Sequence, residues 1–346
     1  MRRAVPYRHV ILGLVAALIA AFLLGVAVGA VWIPPIETIR LIAWKLGLTG
    51  RPEGVSRAAE VIVFQLRLPR VLLAAIVGGA LAASGAVFQG LFRNPLADPA
   101  IIGVSSGAAL GAVLVIVTVG AGSLGAFAVP LAAFIGAIAT AFVVYRLARI
   151  GPAVQVATLL LAGIAIAAVI SSFMSLVMSF SGEEIRDIYA WLLGGLVAQG
   201  WRSVEIVLPV VTLGVAGAWL VAHELNLISL GEERAAQLGV ELDRLKRTSI
   251  AVGALLAAAA VSVAGVIGFV GLMTPHLLRL VIGSDHRRLV PASVLGGAIL
   301  LILADLIART IVAPSELPVG VVTALIGGPF FIYLLRREGR KAGARV

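Results

Sequence analysis

Cysteine is absent from the 346 residues, which excludes disulfides and thiolate metal sites. Lysine is nearly absent. Lys45, Lys246 and Lys341 are the three in the chain, and none follows a glycine, so no G-x-x-x-x-G-K-[ST] loop for nucleotide phosphates can be drawn. The four histidines, His9, His223, His276 and His286, lack H-E-x-x-H or any comparable ligand spacing, and no metal site is expected. No nucleophile–base constellation stands out either, so an enzyme acting alone is not indicated. Charge is scarce as well, at 13% of residues against 61% hydrophobic.

What fills the chain instead is long apolar runs, giving a mean hydropathy of +1.10. A soluble domain has too few interior positions for that much apolar surface. Runs of about 20 residues match a hydrocarbon core of roughly 30 Å and mark a polytopic membrane protein. Ten spans fit, near 10–33, 70–91, 101–119, 124–145, 157–180, 203–222, 248–271, 273–284, 290–312 and 318–335. The eighth is short, so it is expected to be a short helix or irregular backbone covered by protein or water. "MRRAVPYRHV" has the positive flank of a signal peptide, but the apolar stretch that follows is longer than a signal's. It reads as a retained first span.

The formal charge of +10 is informative through its distribution. With the N-terminus inside, cytoplasmic segments hold 18 of the 27 Lys and Arg residues, which supports N-in, C-in. Six of the nine outer exceptions crowd between residues 40 and 70: Arg40, Lys45, Arg51, Arg57, Arg67 and Arg70.

Three local features stand out from this background. "GVSSGAALG" sets Gly103, Gly107 and Gly111 at intervals of four, which suits either close helix packing within the subunit or the wall of a pathway. "SGAVFQGLFRNPL" (84–96) echoes "AGVIGFVGLMTPHL" (264–277) on spans of opposite direction, as in an inverted repeat. The longest polar interruption is "HELNLISLGEERAAQLGVELDRLKR" (223–247). "GEERAAQLG" reads as a short helix with Glu232 and Glu233 in its first turn and Gly239 as its stop. "ELDRLKR" reads as a second short helix. Together they would form a compact knob on the cytoplasmic face.

"LGEERAAQLG" has the L-G-x-x-x-A-x-x-L-G pattern of the coupling segment in FecCD-type permeases, the membrane subunits of ABC importers for haem, ferric siderophores and cobalamin. "RLPR" (67–70), "LAASGAVFQGLFRNPLADPAIIGVSSGAALGA" (81–112), "GFVGLMTPHLLRLVIGSDHRRLVP" (268–291), "ADLIAR" (304–309) and "ELPVGVVTALIGGPFF" (316–331) resemble that family's other signature blocks, in order. The resemblance covers nearly the whole chain as one transmembrane permease domain, 1–346. It implies an all-α protein of ten spans in the cytoplasmic membrane, paired with a second copy or a related subunit. It also implies two cytoplasmic ATPase subunits, which would carry ATP and Mg, and a periplasmic or lipid-anchored binding protein. No cofactor of the chain's own is expected.

The resemblance assigns roles to residues. Leu230, Gly231, Glu232, Glu233, Arg234, Ala235, Leu238 and Gly239 would form the ATPase-coupling segment. Arg67, Arg70 and Arg309, near the outer ends of their spans, would dock the binding protein, as matching arginines do in cobalamin-importing relatives. Asp305 lies one helical turn before Arg309, so this last arginine is also placed for an internal pair.

Arg93, Asn94 and Pro95 belong to "FRNPLADP", a turn stiffened by two prolines near the inner mouth. Val156 and Ala157 stand where cobalamin-type relatives carry small hydroxyl residues at the gate. With Gly103 and Gly107 these complete the gate or pathway set. The apolar gate and the "GVSSGAALGAV" run favour a flat iron chelate, haem first or a ferric siderophore, with cobalamin the alternative. A different class, an ion-coupled secondary transporter, would need ionisable groups within the membrane, and Asp305 is the main candidate.

Overall fold

The computed structural model describes residues 6–29, 31–52, 55–120, 125–150, 153–196 and 200–343. From the N-terminus, α1 (Tyr7–Ala27) is followed by a surface helix, α2 (Pro35–Lys45). Then α3 (Arg57–Val61), a π-helical turn (Ile62–Arg67) and α4 (Leu68–Leu91) run on as one 35-residue helix. A turn leads to α5 (Val104–Val119), and α6 (Ala128–Ala148) returns beside it. The two short strands β1 (Arg149–Ile150) and β2 (Ala153–Val154) pair antiparallel and hand over to α7 (Val156–Ser179). After α8 (Ile185–Leu192) come α9 (Trp201–Leu220), the short α10 (Ala222–Ile228) and α11 (Glu232–Gln237), and then α12 (Leu242–Ala264). The chain closes with α13 (Val270–Ile282), α14 (His286–Thr310) and α15 (Val319–Gly343).

Among the described residues seven helices are long and apolar enough to cross a membrane, and α5, α13 and the apolar part of α15 are shorter. Together they account for the ten expected spans. The chain is an integral membrane protein.

The centre is α4, largely apolar around its circumference and enclosed by α12, α13 and α14. Small residues make this possible. A Cβ on Gly85 would fall 1.8 Å from the carbonyl oxygen of Gly271, so only glycine lets α4 and α13 approach this closely. By contrast only 17% of α7's apolar window is buried, leaving Leu161, Ile164, Val169, Phe173 and Leu176 exposed. This face is free for lipid or for another chain.

The short eighth span is a half-helix. Residues 265–269 are non-helical, with Gly265 (φ 66°) and Phe269 (φ 68°) in left-handed conformations, and α13 starts only at Val270. Protein covers the irregular stretch, as irregular backbone at that depth requires. The amide of Gly195 donates to Ala264 at 2.8 Å, and a Cβ on Gly265 would meet the carbonyl oxygen of Trp191 at 2.2 Å.

Several local expectations change. "ELDRLKR" is not a separate helix but the start of α12. Leu242 and Leu245 fall on the periodicity of the span that follows, so helix propagation is cheaper than a break. The second short helix of the knob is instead α10, directly after α9. The echoing segments 84–96 and 264–277 do not share a backbone: the first is helix and then turn, the second irregular and then helix. They pack against each other, and Gln89 Nε2 donates to the carbonyl of Leu272 at 3.0 Å.

Gly103, Gly107 and Gly111 follow the close-packing alternative within the subunit. Gly107 and Gly111 face the backbone of Gly136 and Ala132 on α6, and Gly103 (φ 79°) caps α5. The basic cluster at 40–70 is explained in part by α2. Lys45 and Arg51 lie over the ring of Trp44, and Arg51 also pairs with Glu60 at 3.2 Å.

Candidate coupling and gating site

The knob is built by backbone rules that its sequence obeys. Gly231 (φ 111°) opens α11, Glu232 and Glu233 occupy its first turn, and Gly239 (φ 88°) ends it. The amide of Gly239 donates to Ala236 and that of Val240 to Ala235, both at 3.0 Å, the paired closure that a left-handed glycine allows. Ala235 is fully buried, whereas Leu230 and Leu238 are 53% and 60% exposed and Glu233 and Arg234 point outward. The helix therefore seats one face and offers an apolar pair ringed by charge.

Lys246, on α12, ties this knob to the candidate gate. Its Nζ lies 2.8 Å from Glu232 Oε2 and 3.2 Å from the carbonyl oxygen of Val154, and the side chain is buried. Val154 belongs to β2, one residue short of the cap of α7. Val156 and Ala157, half-buried and exposed respectively, form the first turn of α7. One ammonium thus bonds to both α11 and the connection that leads to Val156 and Ala157. Sequence reasoning missed Lys246. A lone lysine at the foot of a span normally reads as interfacial charge.

The "FRNPLADP" turn takes a single well-bonded shape. Arg93 is left-handed (φ 51°) and closes α4, with its amide donating to Gly90 and that of Asn94 to Gln89, both at 3.2 Å. Asn94 Oδ1 accepts from the Leu96 amide at 2.9 Å and Asp98 Oδ1 from the Ala100 amide at 2.8 Å. Burial pushes the Asp98 carboxyl above its ordinary range, and the Ala100 amide partly offsets this. Pro95 is half-buried, while Arg93 and Asn94 are exposed.

At the opposite end of the molecule, Arg67, Arg70 and Arg309 line one cleft of about 480 Å³ together with Glu316. The structure brings the three predicted docking arginines together, but it holds them by internal partners. Arg67 donates to the carbonyls of Val26, Ala27 and Val31, capping the end of α1. Arg309 donates to the carbonyl of Gly25 at 2.6 Å and stands 3.1 Å from Asp305. Both are buried, so neither projects a charge outward as the docking assignment requires. Arg70 is engaged by Asp305 at 2.8 Å and Glu316 at 2.9 Å, and it alone reaches a partly exposed partner. Asp305 is 1% exposed between two guanidiniums, a fixed counter-ion.

Comparison with known proteins decides what this arrangement belongs to. Residues 17–337 match the model of the FecCD transport family. The chain belongs to the FecCD family. It is 51% identical over 288 residues to the cobalamin import system permease BtuC of Halobacterium salinarum, spanning 83% of this chain and 77% of that one. It is 45% identical over 291 residues to the hemin transport system permease HmuU of Yersinia pestis, spanning 80% and 84%. Among solved structures it matches an inward-facing conformation of a chain described as a metal-chelate type ABC transporter, with a TM-score of 0.82 and 31% identity over 95% of this chain and 99% of the other. This FecCD chain is therefore an ABC importer permease.

Proposed function

We propose that this FecCD permease is the non-catalytic, pathway-forming subunit of an importer in the cytoplasmic membrane, moving a metal chelate between two copies of itself. The observation that carries this reading is the Glu232–Lys246–Val154 bridge. A stroke delivered to the exposed leucines of α11 would reach the foot of α7 through one buried ammonium. The exposed apolar face of α7 is the surface on which a second copy would close the pathway. ATP and Mg would reside on the two ATPase subunits, and this chain's part would be a shift of population between outward- and inward-open states. The binding protein would meet the Arg70–Glu316 edge of the outer cleft, where an incoming carboxylate can compete for Arg70.

For cargo, haem fits Val156 and Ala157 at the start of α7, which offer no hydroxyl. Cobalamin is the second reading, favoured by the 51% identity to the halobacterial cobalamin permease. An ion-coupled mechanism has little to use, because Asp305 is committed to Arg70 and Arg309.

The test is a mild-detergent pull-down of the chain from its native membrane, with partners identified by mass. Equal recovery of an ATPase subunit, lost when Glu232 to Gly239 is disrupted, is the expected result. Recovery of the chain alone or only with itself would remove the reading. Uptake by the reconstituted complex of haem, cobalamin and a ferric siderophore in competition then ranks the cargo.

A further inference from the structure

The knob makes a second attachment, on α10. Asn226 Oδ1 accepts the backbone N–H of His286 at 2.8 Å and lies 2.9 Å from its Nδ1, while Asn226 Nδ2 donates to Asp285 Oδ1 at 2.7 Å. The roles are forced. A backbone N–H can only donate and a carboxylate only accepts, which fixes the amide's orientation, so Nδ1 must carry a hydrogen.

This contact completes a helix cap from outside the helix. The first N–H groups of any helix lack internal partners. On α14, Asp285 accepts from the Arg287 amide at 3.0 Å in the ordinary local way, and Asn226 reaches over from α10 to take the His286 amide. The His286 ring is 3% exposed and wedged against α4, where a Cβ on Gly90 would stand 2.5 Å from Nε2. Three elements therefore meet at one imidazole: the lead-in to the coupling helix, the inner end of α14 and the inner end of α4.

From there α4 and α14 run side by side to the outer end, about 37 Å away at 1.5 Å per residue. Midway their backbones touch at Gly78 and Gly297, and at the far end Arg70 joins Asp305. A pair packed this closely shifts as a unit rather than bending, because packed interiors transmit strain.

We propose that Asn226 is a positioning residue that clamps the coupling knob to the α4–α14 pair and so delivers its displacement to the outer mouth. Lys246 delivers the same displacement to the inner connection. One knob would then drive two outputs at opposite ends of the membrane, as alternating access requires. This rests on the importer reading above.

The absence of native cysteine makes a clean test possible in the whole transporter with cysteine-free partner subunits. A polarity-sensitive thiol fluorophore is placed at Thr310→Cys, on the outer end of α14, or at Ala157→Cys, at the foot of α7; both positions are exposed. Each signal is read with and without a non-hydrolysable ATP analogue. In Asn226→Ala the Thr310 response should fall at least fivefold while the Ala157 response persists. Gly90→Ala attacks the same joint from α4 and should give the same split. Asn226→Asp keeps an acceptor for both His286 hydrogens but faces the Asp285 carboxylate, so it is combined with Asp285→Asn, which returns a donor to that contact and should restore at least half of the Thr310 response.

A full Thr310 response in either folded variant overturns the clamp. So does parallel loss of both responses in both variants with the ATPase subunits still bound. If neither probe responds in the parent, the importer reading falls, and the clamp falls with it.

Discussion

A methyl group on Gly78 would stand 2.2 Å from the carbonyl oxygen of Gly297, and one on Gly297 would stand 2.2 Å from that of Gly78. The two helices at the centre of this permease touch through their backbones. Gly78→Ala should therefore cost about 1–3 kcal/mol by overpacking, in spite of alanine's better helix propensity. A lowered melting temperature in detergent is the expected readout. Gly13→Ala on α1, where nothing lies within 4 Å, should leave the melting temperature unchanged or slightly higher.

Lys246→Met keeps the apolar stem but removes the ammonium shared by Glu232 and Val154. Hydrogen bonds to a charged group contribute about 1.5–3 kcal/mol, enough to change the population of the joined state by tenfold or more. Co-purification of the ATPase should survive, while cargo uptake per ATP hydrolysed falls at least tenfold in proteoliposomes. Lys246→Arg should recover part of it. Equal coupling in the Met variant would sink the bridge as a transmission element.

The outer ion network should respond unequally to loss of its two acids. Asp305→Asn leaves Arg70 and Arg309 facing each other with their shared buried counter-ion neutralised, and breaking such a group costs about 3–5 kcal/mol. Glu316 is partly solvated, so Glu316→Gln should cost about 0–1 kcal/mol. Thermal unfolding in nanodiscs separates the two. Similar losses would show that Asp305 is less buried than the structure has it.

Asp98 supplies a pH signature. Its carboxyl is raised above 3.8 by burial, so the fold favours the protonated acid. Its contribution to stability is therefore greatest below 3.8 and is lost as the pH climbs through the raised folded value. Asp98→Asn keeps an acceptor for the Ala100 amide and cannot ionise. It should equal or exceed the parent in stability at pH 7, with the difference shrinking toward pH 4. Asp98→Ala loses the cap and should be less stable than Asn by about 1 kcal/mol throughout. An Asn variant weaker than the parent at neutral pH would contradict this account.

The amino-acid sequence alone carried the ten spans, the short helix at 232–237 with its glycine stop and the stiff turn at 92–99. Those features depend on interactions within a few residues: apolar length, helix-end chemistry and proline or Asx turns. It also determined family membership, through signature blocks such as "LGEERAAQLG". Tertiary structure alone decided the rest, because these outcomes depend on residues brought together from distant parts of the chain. Arg67 reads as a docking charge until the end of α1 and the segment after it bring the carbonyls of Val26, Ala27 and Val31 to it. Gly107 reads equally as a packing residue or as part of a pathway wall until α6 closes on it. Lys246 and Asn226 look like solvated polar residues at the foot of a bundle, and only packing shows which two elements each one joins. A polar side chain in a membrane protein must find partners for its donors and acceptors, and no local rule says which segment supplies them.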